Sequence, residues 1–298
     1  MSGYIGEIAA IATAFCWAIT ATNFESAGKK IGSKPLNLIR LVIGFLFLSV
    51  FTLITRGQIL PLDASQEAWK WLLLSGFIGF FIGDLFLFEA FVRIGARISM
   101  LIFASVPPMS GILAYIILGE TMNVKQIIGM TITLIGIATV ILVKGDGGKK
   151  IKLSHSISGI LFAFGGAFGQ SLGYIVGKLG LKDYNPFAAT QIRIIAAIIA
   201  FVLLFTIKSN WYLIFDSLKE RKAMVKVTIG SFFGPFLGVS LSLLAVQYIN
   251  PGVASTLMAI TPIILIPIAI FIKKEKIFLK EIVGAFIAVL GVSVIFLG

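Results

Sequence analysis

The sequence predicts an all-α integral membrane protein with ten transmembrane helices, arranged as two inverted five-helix repeats. Three observations predict it. Hydrophobic residues make up 58% of the 298 residues against 13% charged residues, the mean hydropathy is +1.03, and apolar runs of spanning length recur along the chain. Such a chain cannot cover an apolar core with polar surface, so we expect lipid to surround it.

Ten apolar stretches have about the length, roughly 20 residues, that one crossing of a hydrocarbon layer needs. They cover residues 4–24, 36–55, 69–91, 96–118, 124–143, 157–177, 186–207, 224–248, 252–272 and 278–297. The segment 144–156, rich in glycine and lysine, predicts a short flexible polar linker. We therefore expect a first repeat over residues 1–143, this linker, and a second repeat over residues 157–298.

The basic residues lie mainly on one side of this topology. Eighteen of the 25 lysines and arginines fall in loops on one side and five fall on the other, while Arg40 and Arg193 lie inside predicted spans. The positive-inside rule makes the richer side cytoplasmic, which places both termini outside a multi-pass protein of the cytoplasmic membrane. The net charge of +12 is thus expected to orient the chain rather than to bind nucleic acid.

The two halves of the chain repeat one another. At an offset of 155 residues, glycine, alanine, proline, glutamate and lysine positions coincide, and at an offset of 153 an earlier segment aligns Ile39-Arg40 with Ile192-Arg193. Five helices per copy is an odd number, so the second copy enters the membrane from the opposite face. Inverted repeats are a recurrent plan of secondary transporters. The residue pairs that coincide at the offset of 155 residues are Gly79 and Gly234, Gly83 and Gly238, Ala90 and Ala245, Pro107 and Pro262, Glu120 and Glu275, Lys125 and Lys280, Gly129 and Gly284, and Gly136 and Gly291.

These features resemble the EamA-type transporters of the drug/metabolite transporter superfamily over nearly the whole chain. Each half has an arginine early in its second helix and a third helix rich in small residues. The best local motif is a proline followed thirteen residues later by a helix-ending glutamate, at Pro107 to Glu120 and at Pro262 to Glu275, although two lysines replace Leu-Gly in the second copy. The resemblance implies a ten-helix exporter of amino acids and other small metabolites with a central cavity. Unlike the charge count, it also implies that both termini are cytoplasmic.

Two acidic residues in the third span are the first candidates for substrate binding or proton coupling, because charged groups inside a membrane are costly and commonly functional. Asp84 lies near the middle of the span and can bind a substrate amino group, carry a proton, or hydrogen-bond to a neighbouring helix. Its equivalent in the second copy is Val239, so such a site would be asymmetric. Glu89 stands four residues before Arg93, a spacing that predicts an ion pair on one helix face.

Three arginines are candidates for gating. Arg40 begins the second span on the side of the membrane where Glu89 lies. It can share the Glu89 carboxylate with Arg93, in a cluster that closes one face of the protein. Arg193 is the counterpart of Arg40 near the opposite surface. The alternative is that Arg40 and Arg193 extend to lipid headgroups.

Other residues carry weaker predictions. Glycine at every fourth position leaves one face of the sixth span without side chains, which suits close packing or a sliding contact. Polar and aromatic side chains near it and in the first and eighth spans can bind substrate or simply another helix. Repeated prolines inside the fourth and ninth spans predict bends. The glycines are Gly165, Gly169, Gly173 and Gly177, the weaker binding candidates are Trp17, Thr20, Gln170, Ser171, Tyr174 and Ser240, and the prolines are Pro107 and Pro262.

The sequence favours a secondary transporter, an exporter of amino acids or other small metabolites working by alternating access. Proton coupling and uncoupled facilitation are both compatible with it, whereas a membrane-embedded lipid-modifying enzyme lacks a clustered catalytic set and a channel lacks repeated polar rings. The chain contains one histidine, His155, and one cysteine, Cys16. No metal site and no cofactor are therefore expected. The expected partners are the lipid bilayer, a small-molecule substrate and, under the coupled option, protons, with the protein a monomer or homodimer.

Overall fold

The computed structural model describes residues 4–119, 123–144, 151–153, 155–182, 184–249, 254, 257–275 and 277–297, and most of them are helical. The helices of the first half are α1 (Ile5–Ile31), α2 (Ser33–Arg56), α3 (Gln66–Gly76), a first π-helix (Phe77–Gly83), α4 (Asp84–Phe103), α5 (Val106–Leu118) and α6 (Val124–Ile141). The helices of the second half are α7 (Ile157–Leu181), α8 (Pro186–Ile207), α9 (Trp211–Lys219), α10 (Arg221–Ser231), a second π-helix (Phe232–Gly238), α11 (Val239–Tyr248), α12 (Thr261–Phe271) and α13 (Leu279–Leu297).

The helices have the length and surface of membrane spans. Within the described residues, seven helical segments are long and apolar enough to cross a membrane, and the apolar segments Val106–Ile117 and Thr261–Phe271 are shorter. Large aliphatic side chains such as Ile54, Ile116 and Ile207 are exposed on the outside. A soluble protein rarely exposes so much apolar surface, so the chain is a multi-pass membrane protein.

Glycines with positive φ separate neighbouring helical segments at two places. Gly32 (φ 85°, ψ 155°) separates α1 from α2, and Gly95 (φ 80°, ψ 159°) breaks α4 between the predicted third and fourth spans. These backbone angles favour glycine because it has no Cβ. The chain can therefore reverse direction at Gly32 and Gly95 with almost no loop.

The same irregularities occur in both halves at the offset of 155 residues. Each half has a seven-residue π-helix in the middle of its third span, Phe77–Gly83 in the first and Phe232–Gly238 in the second. Pro235 lies inside the second π-helix, and Phe80 takes the equivalent place in the first. The π geometry therefore does not depend on the proline.

The predicted bends at the repeated prolines are instead helix breaks. A turn at residues 104–105 separates α4 from α5, and a turn at residues 259–260 precedes α12. Pro107 and Pro262 then lie in the first turn of α5 and of α12. A proline there gives up no helical hydrogen bond, because the first N–H groups of a helix have no partner within it.

Two connecting segments contain regular structure that the sequence did not predict. The ends of the predicted flexible linker form an antiparallel ribbon, in which β1 (Leu142–Lys144) pairs with β2 (Ile151–Leu153). The loop after the seventh span contains the helix α9, with tryptophan and tyrosine at its start. Residues 145–150 and Glu120 of the proline–glutamate motif lie outside the described residues.

The last helices of the two halves pack backbone to backbone. A Cβ added at Gly129 would lie 2.6 Å from the carbonyl oxygen of Gly291, and one added at Gly136 would lie 2.7 Å from that of Gly284. These separations are shorter than any ordinary carbon–oxygen contact, so the close approach of α6 and α13 at these points requires glycine at positions 129 and 136.

We expect Gly136→Ala to lower the stability of the protein by about 1–3 kcal/mol, the usual cost of overpacking, because the new Cβ would lie 2.4 Å from the amide nitrogen of Ala288. Thermal unfolding of the detergent-purified protein measures the effect. The matched control is Ile135→Ala on the same helix, whose side chain is 53% exposed and should matter little. Equal unfolding temperatures for both variants would contradict the packing argument.

Candidate functional site

A cavity of about 940 Å³ lies between the two halves. Helices of the first half contribute Trp17, Met100, Phe103 and Pro107, and the second half contributes a comparable number of side chains. The wall is mostly apolar, with a few polar groups among the side chains, which is the usual composition of a small-molecule site. The lining residues from the second half include Gly173, Tyr174, Gly177, Lys178, Lys182, Arg193, Ser242, Gln247 and Pro262.

Arg193 is the most unusual of these side chains. It is 2% exposed and lines the cavity. Its Nε and Nη2 atoms are buried and have no hydrogen-bond partner, while its Cζ lies 4.4 Å from the ring centre of Phe80 and 5.9 Å from that of Tyr174. The side chain is therefore buried within the protein and does not extend to lipid headgroups, which is one of the two alternatives for it.

The glycine ridge of α7 packs closely against the third span of the other half. A Cβ at Gly169 would lie 2.6 Å from the Cα of Gly83, and one at Gly173 would lie 3.0 Å from the Cα of Gly79. Further along, Gly177 faces Ser75, whose hydroxyl donates a hydrogen bond of 2.7 Å to the carbonyl of Gly173. At the other end of the ridge, Gly165 lies against the ring of Phe86.

The equivalent surface of α1 carries side chains. At the offset of 153, Thr20 corresponds to Gly173 and Phe24 corresponds to Gly177. Thr20 packs against Gly234 and donates a hydrogen bond of 3.3 Å to the carbonyl of Gly230. The α7 side has glycines here, and their missing side chains let α7 approach Gly79 and Ser75 of the third span closely.

Asp84 lies buried beside the cavity rather than in its wall. Its carboxylate forms an ion pair with Arg40, and its carbonyl oxygen accepts a 3.2 Å hydrogen bond from Asn37. The Nε of Arg40 donates to the Asn37 side chain at 3.1 Å, and its Cζ lies 4.5 Å from the ring centre of Phe88. The prediction that Arg40 shares the carboxylate of Glu89 is therefore wrong, because Arg40 is satisfied within this cluster.

Ion pairs link the two halves at the face that carries most of the basic residues. Glu25 binds Lys29 at 2.5 Å, pairs with Lys273 of the second half, and accepts a 2.9 Å hydrogen bond from the backbone of Ala96. Arg97 binds Glu281 at 3.0 Å. The further contacts at this face are Arg97 with Glu275 at 3.4 Å, Lys30 with Glu220 at 2.5 Å, Glu89 with Arg93 at 2.8 Å, Ser33 with Glu89 at 2.6 Å and Arg93 with Ser158 at 3.0 Å.

At the opposite face, the contacts among the described residues include two ion pairs. Asp63 pairs with Arg56 and accepts a hydrogen bond of 2.9 Å from the hydroxyl of Tyr184, while Lys182 binds the exposed Glu67 at 3.1 Å. Burial and the bond to Asp63 raise the pKa of Tyr184 to about 12. For Asp63, burial acts to raise the pKa, but the Tyr184 hydroxyl and the Arg56 charge outweigh it, so the pKa lies below its usual value.

Some of the remaining predicted binding residues line the cavity, and others lie outside its wall. Trp17 and Tyr174 line the cavity. Ser171 donates hydrogen bonds to the backbone carbonyls of Ala167 and Val106, as expected of a packing residue. Gln170 Oε1 and Ser240 Oγ are buried without a hydrogen-bond partner, yet neither residue belongs to the cavity wall.

Sequence reasoning missed the residues that tie the basic face together, chiefly Glu25, Arg97, Lys273 and Glu281. The spacing of Glu25 and Lys29 is a local signal for one of these ion pairs. The partners Glu25 and Lys273 are 248 residues apart, so their contact depends on the three-dimensional arrangement of the halves.

Comparison with known proteins agrees with this architecture. The model of the EamA-like transporter family matches residues 4–142 and again residues 157–297. Two curated relatives come from Bacillus subtilis (strain 168). The uncharacterized transporter YetK is 30% identical over 51% of this chain and 44% of its own length, and the uncharacterized transporter YdfC is 24% identical over 59% and 55%. The chain thus aligns with about half the length of these relatives.

A solved crystal structure has the same fold. It superposes with a TM-score of 0.68 over 98% of this chain and 96% of the other, at 15% sequence identity. The fold and the two family matches cover both halves of the chain. The chain therefore belongs to the EamA-like transporter family.

Proposed function

We propose that this chain is a secondary transporter that exports amino acids or other small metabolites across the cytoplasmic membrane by alternating access. The observation that carries the proposal is the cavity of about 940 Å³ between the halves, lined from both sides. A volume of that size holds a metabolite-sized solute. The membership in a transporter family supports the same function.

The contacts between the halves at the basic face support a particular state of the transport cycle. This face is closed by several of them, including Glu25 with Lys273 and Arg97 with Glu281. The cavity wall contains Lys182, which pairs with Glu67 at the opposite face. We infer a conformation that is closed at the basic face and gives solutes access from the opposite face.

The proposal includes ten spans in two inverted repeats, with the domain limits expected from the sequence. Two contacts support a pseudo-twofold axis. Gly129 approaches Gly291, and Gly136 approaches Gly284. Adding 155 to the first member of each pair gives the second member of the other pair, which is the reciprocity of a two-fold contact. The π-helices at equivalent positions agree with this arrangement.

We propose that the basic face is cytoplasmic and that both termini are outside, because eighteen of the 25 basic residues lie on that face. Alkaline phosphatase, which is active only outside the cytoplasm, should be active when fused to either terminus. A fluorescent protein that matures in the cytoplasm should be dark in the same places. The opposite pattern would reverse the orientation and agree with the implication of the family resemblance.

If the ion pairs at the basic face form a gate, Glu25→Gln should open it, because losing one partner of a buried pair costs roughly 3–5 kcal/mol. We suggest a reporter Ser110→Cys in the cavity, in a Cys16→Ser background, labelled with an impermeant maleimide from either side of sealed vesicles. Labelling from the basic face should rise at least tenfold.

The matched control for the gate is Glu67→Gln, which breaks the ion pair with Lys182 at the opposite face. It should leave labelling from the basic face unchanged. Reporter labelling from the basic face in the wild type, or no increase in Glu25→Gln, would contradict the assignment of the gate.

We propose that Asp84 carries the proton if transport is coupled to protons. Asp84→Asn and Arg40→Gln should each destabilise the protein by roughly 3–5 kcal/mol, because each leaves a buried polar partner unpaired, and the double variant should recover part of that loss. In proteoliposomes, a pH gradient should then drive export by the wild type and have no effect on the folded double variant. A wild type that ignores the gradient would indicate uncoupled facilitation.

A further inference from the structure

The helix α9 lies at the level of the lipid headgroups. The span before it, α8, has 22 residues and is therefore about 33 Å long, close to the thickness of the hydrocarbon layer. The chain bends at Ser209, whose φ is 50°. Helix α9 then runs from Trp211 to Lys219, and α10 begins at Arg221. It thus connects two spans at the basic face, outside the hydrocarbon core.

One side of α9 faces the protein, and the other carries exposed aromatic rings. Ile214 and Ser217 are buried, whereas Tyr212 and Phe215 are 59% and 61% exposed. Aromatic side chains at this depth are typical of the boundary between membrane and water, because the ring then meets an apolar surrounding that bulk water does not provide. The outer side of α9 therefore suits a lipid surface.

Basic side chains at both ends of α9 lack an acidic partner. Lys208 precedes the helix, and Arg221 and Lys222 follow it; all three are exposed. Within the part of the chain that the structure describes, none of them forms an ion pair. Three positive charges are therefore available to a partner outside the protein.

The acidic side chains near α9 are paired with other residues. Asp216 binds Lys219 at 2.7 Å, and Glu220 binds Lys30 of α1 at 2.5 Å. The segment 208–226 contains five basic and two acidic residues. This part of the surface therefore keeps an excess of positive charge.

The equivalent connection in the first half has a different structure. It comprises residues 57–65, all of which the structure describes, and it contains no helix. It has no aromatic or basic residue, and its acidic residue, Asp63, pairs with Arg56 at the opposite face. The repeated fold therefore does not require the aromatic rings and unpaired cations of the second connection.

We propose that the α9 surface, formed by Lys208, Tyr212, Phe215, Arg221 and Lys222, binds anionic phospholipids in the leaflet at the basic face. The two rings enter the boundary between headgroups and acyl chains, and the three cations bind the phosphate groups. Helices with an apolar face and flanking lysine or arginine bind anionic membranes in this way. A soluble anion would leave the rings in water, so the surface fits a lipid better. The inference does not depend on the transport of a solute.

The fluorescence of Trp211 reports which lipid lies beside α9. This side chain stands at the start of the helix, and its Nε1 donates a hydrogen bond of 3.2 Å to the hydroxyl of Thr206. The protein is reconstituted in equal mixtures of phosphatidylglycerol and phosphatidylcholine, in which one lipid or the other carries brominated, quenching acyl chains. The difference in quenching between the wild type and Trp211→Phe gives the Trp211 signal. Each basic residue near an anionic surface favours binding roughly fivefold, so we expect phosphatidylglycerol to be preferred at least tenfold.

Variants test the role of the cations. The double variant Arg221→Gln/Lys222→Gln should lower the preference for phosphatidylglycerol at least tenfold. The matched control is Lys274→Gln/Lys280→Gln, which removes two charges from the same face near the start of α13 and should stay within twofold of the wild type. Thermal unfolding confirms that each variant is folded before quenching is compared.

Several outcomes would overturn the proposal. Equal quenching by the two brominated lipids would show that α9 has no preference for anionic headgroups. Loss of the quenching by brominated phosphatidylglycerol when millimolar glycerol 3-phosphate is added would assign the cations to a soluble anion. Protection of Trp211 from both lipids, together with a dimer mass in detergent, would assign the surface to a second copy of the chain. An equal fall in preference in the control variant would reduce the effect to net charge. The wild-type comparison decides the lipid preference even if a variant does not fold.

Discussion

A charge inside a membrane must be paired, and the contact between Arg40 and Asp84 is where this constraint is met at the centre of the protein. Both side chains are buried, Asn37 connects them to the backbone, and the ring of Phe88 lies beside the guanidinium. The pair joins α2 to the point where the first π-helix ends and α4 begins. The position of the third span of the first half therefore depends on an electrostatic contact as well as on packing.

The two halves of the chain carry different residues at several equivalent positions. The second half keeps the arginine and replaces the aspartate with Val239, and it also replaces Thr20 and Phe24 of α1 with Gly173 and Gly177 of α7. The two changes lie near one another, because Arg193, Gly173 and Gly177 all line the cavity. One leaves the Nε and Nη2 atoms of Arg193 without a hydrogen-bond partner, and the other lets α7 pack closely against the third span of the first half.

Much of the fold could be predicted from the sequence, because it depends on properties that are local in the chain. Apolar length predicts the spans, and seven helical segments within the described residues are long and apolar enough to cross a membrane. The odd number of helices in each predicted repeat predicts inversion. The pairing of Glu89 with Arg93 follows from their spacing on one helix. The partner of Arg40 could not be predicted in this way, since Asp84 and Glu89 lie five residues apart on the third span and only the relative height of α2 and α4 decides between them. The π-helices were also unpredictable, because the first contains no proline and its glycines alone do not specify a wider turn.

The exposure of the ion pairs between the halves indicates which of them separates most readily. The pair of Lys30 with Glu220 is about half exposed, so its charges can be hydrated when the halves separate. The pairs of Glu25 with Lys273 and of Arg97 with Glu281 are mostly buried, so their separation costs more. The glycine contact of α6 with α13 lies deeper, and separating it would lose the close backbone packing of the two helices. Motion that opens the basic face while it preserves this contact would turn the halves about it. Such a motion would move the access to the cavity from one face of the membrane toward the other.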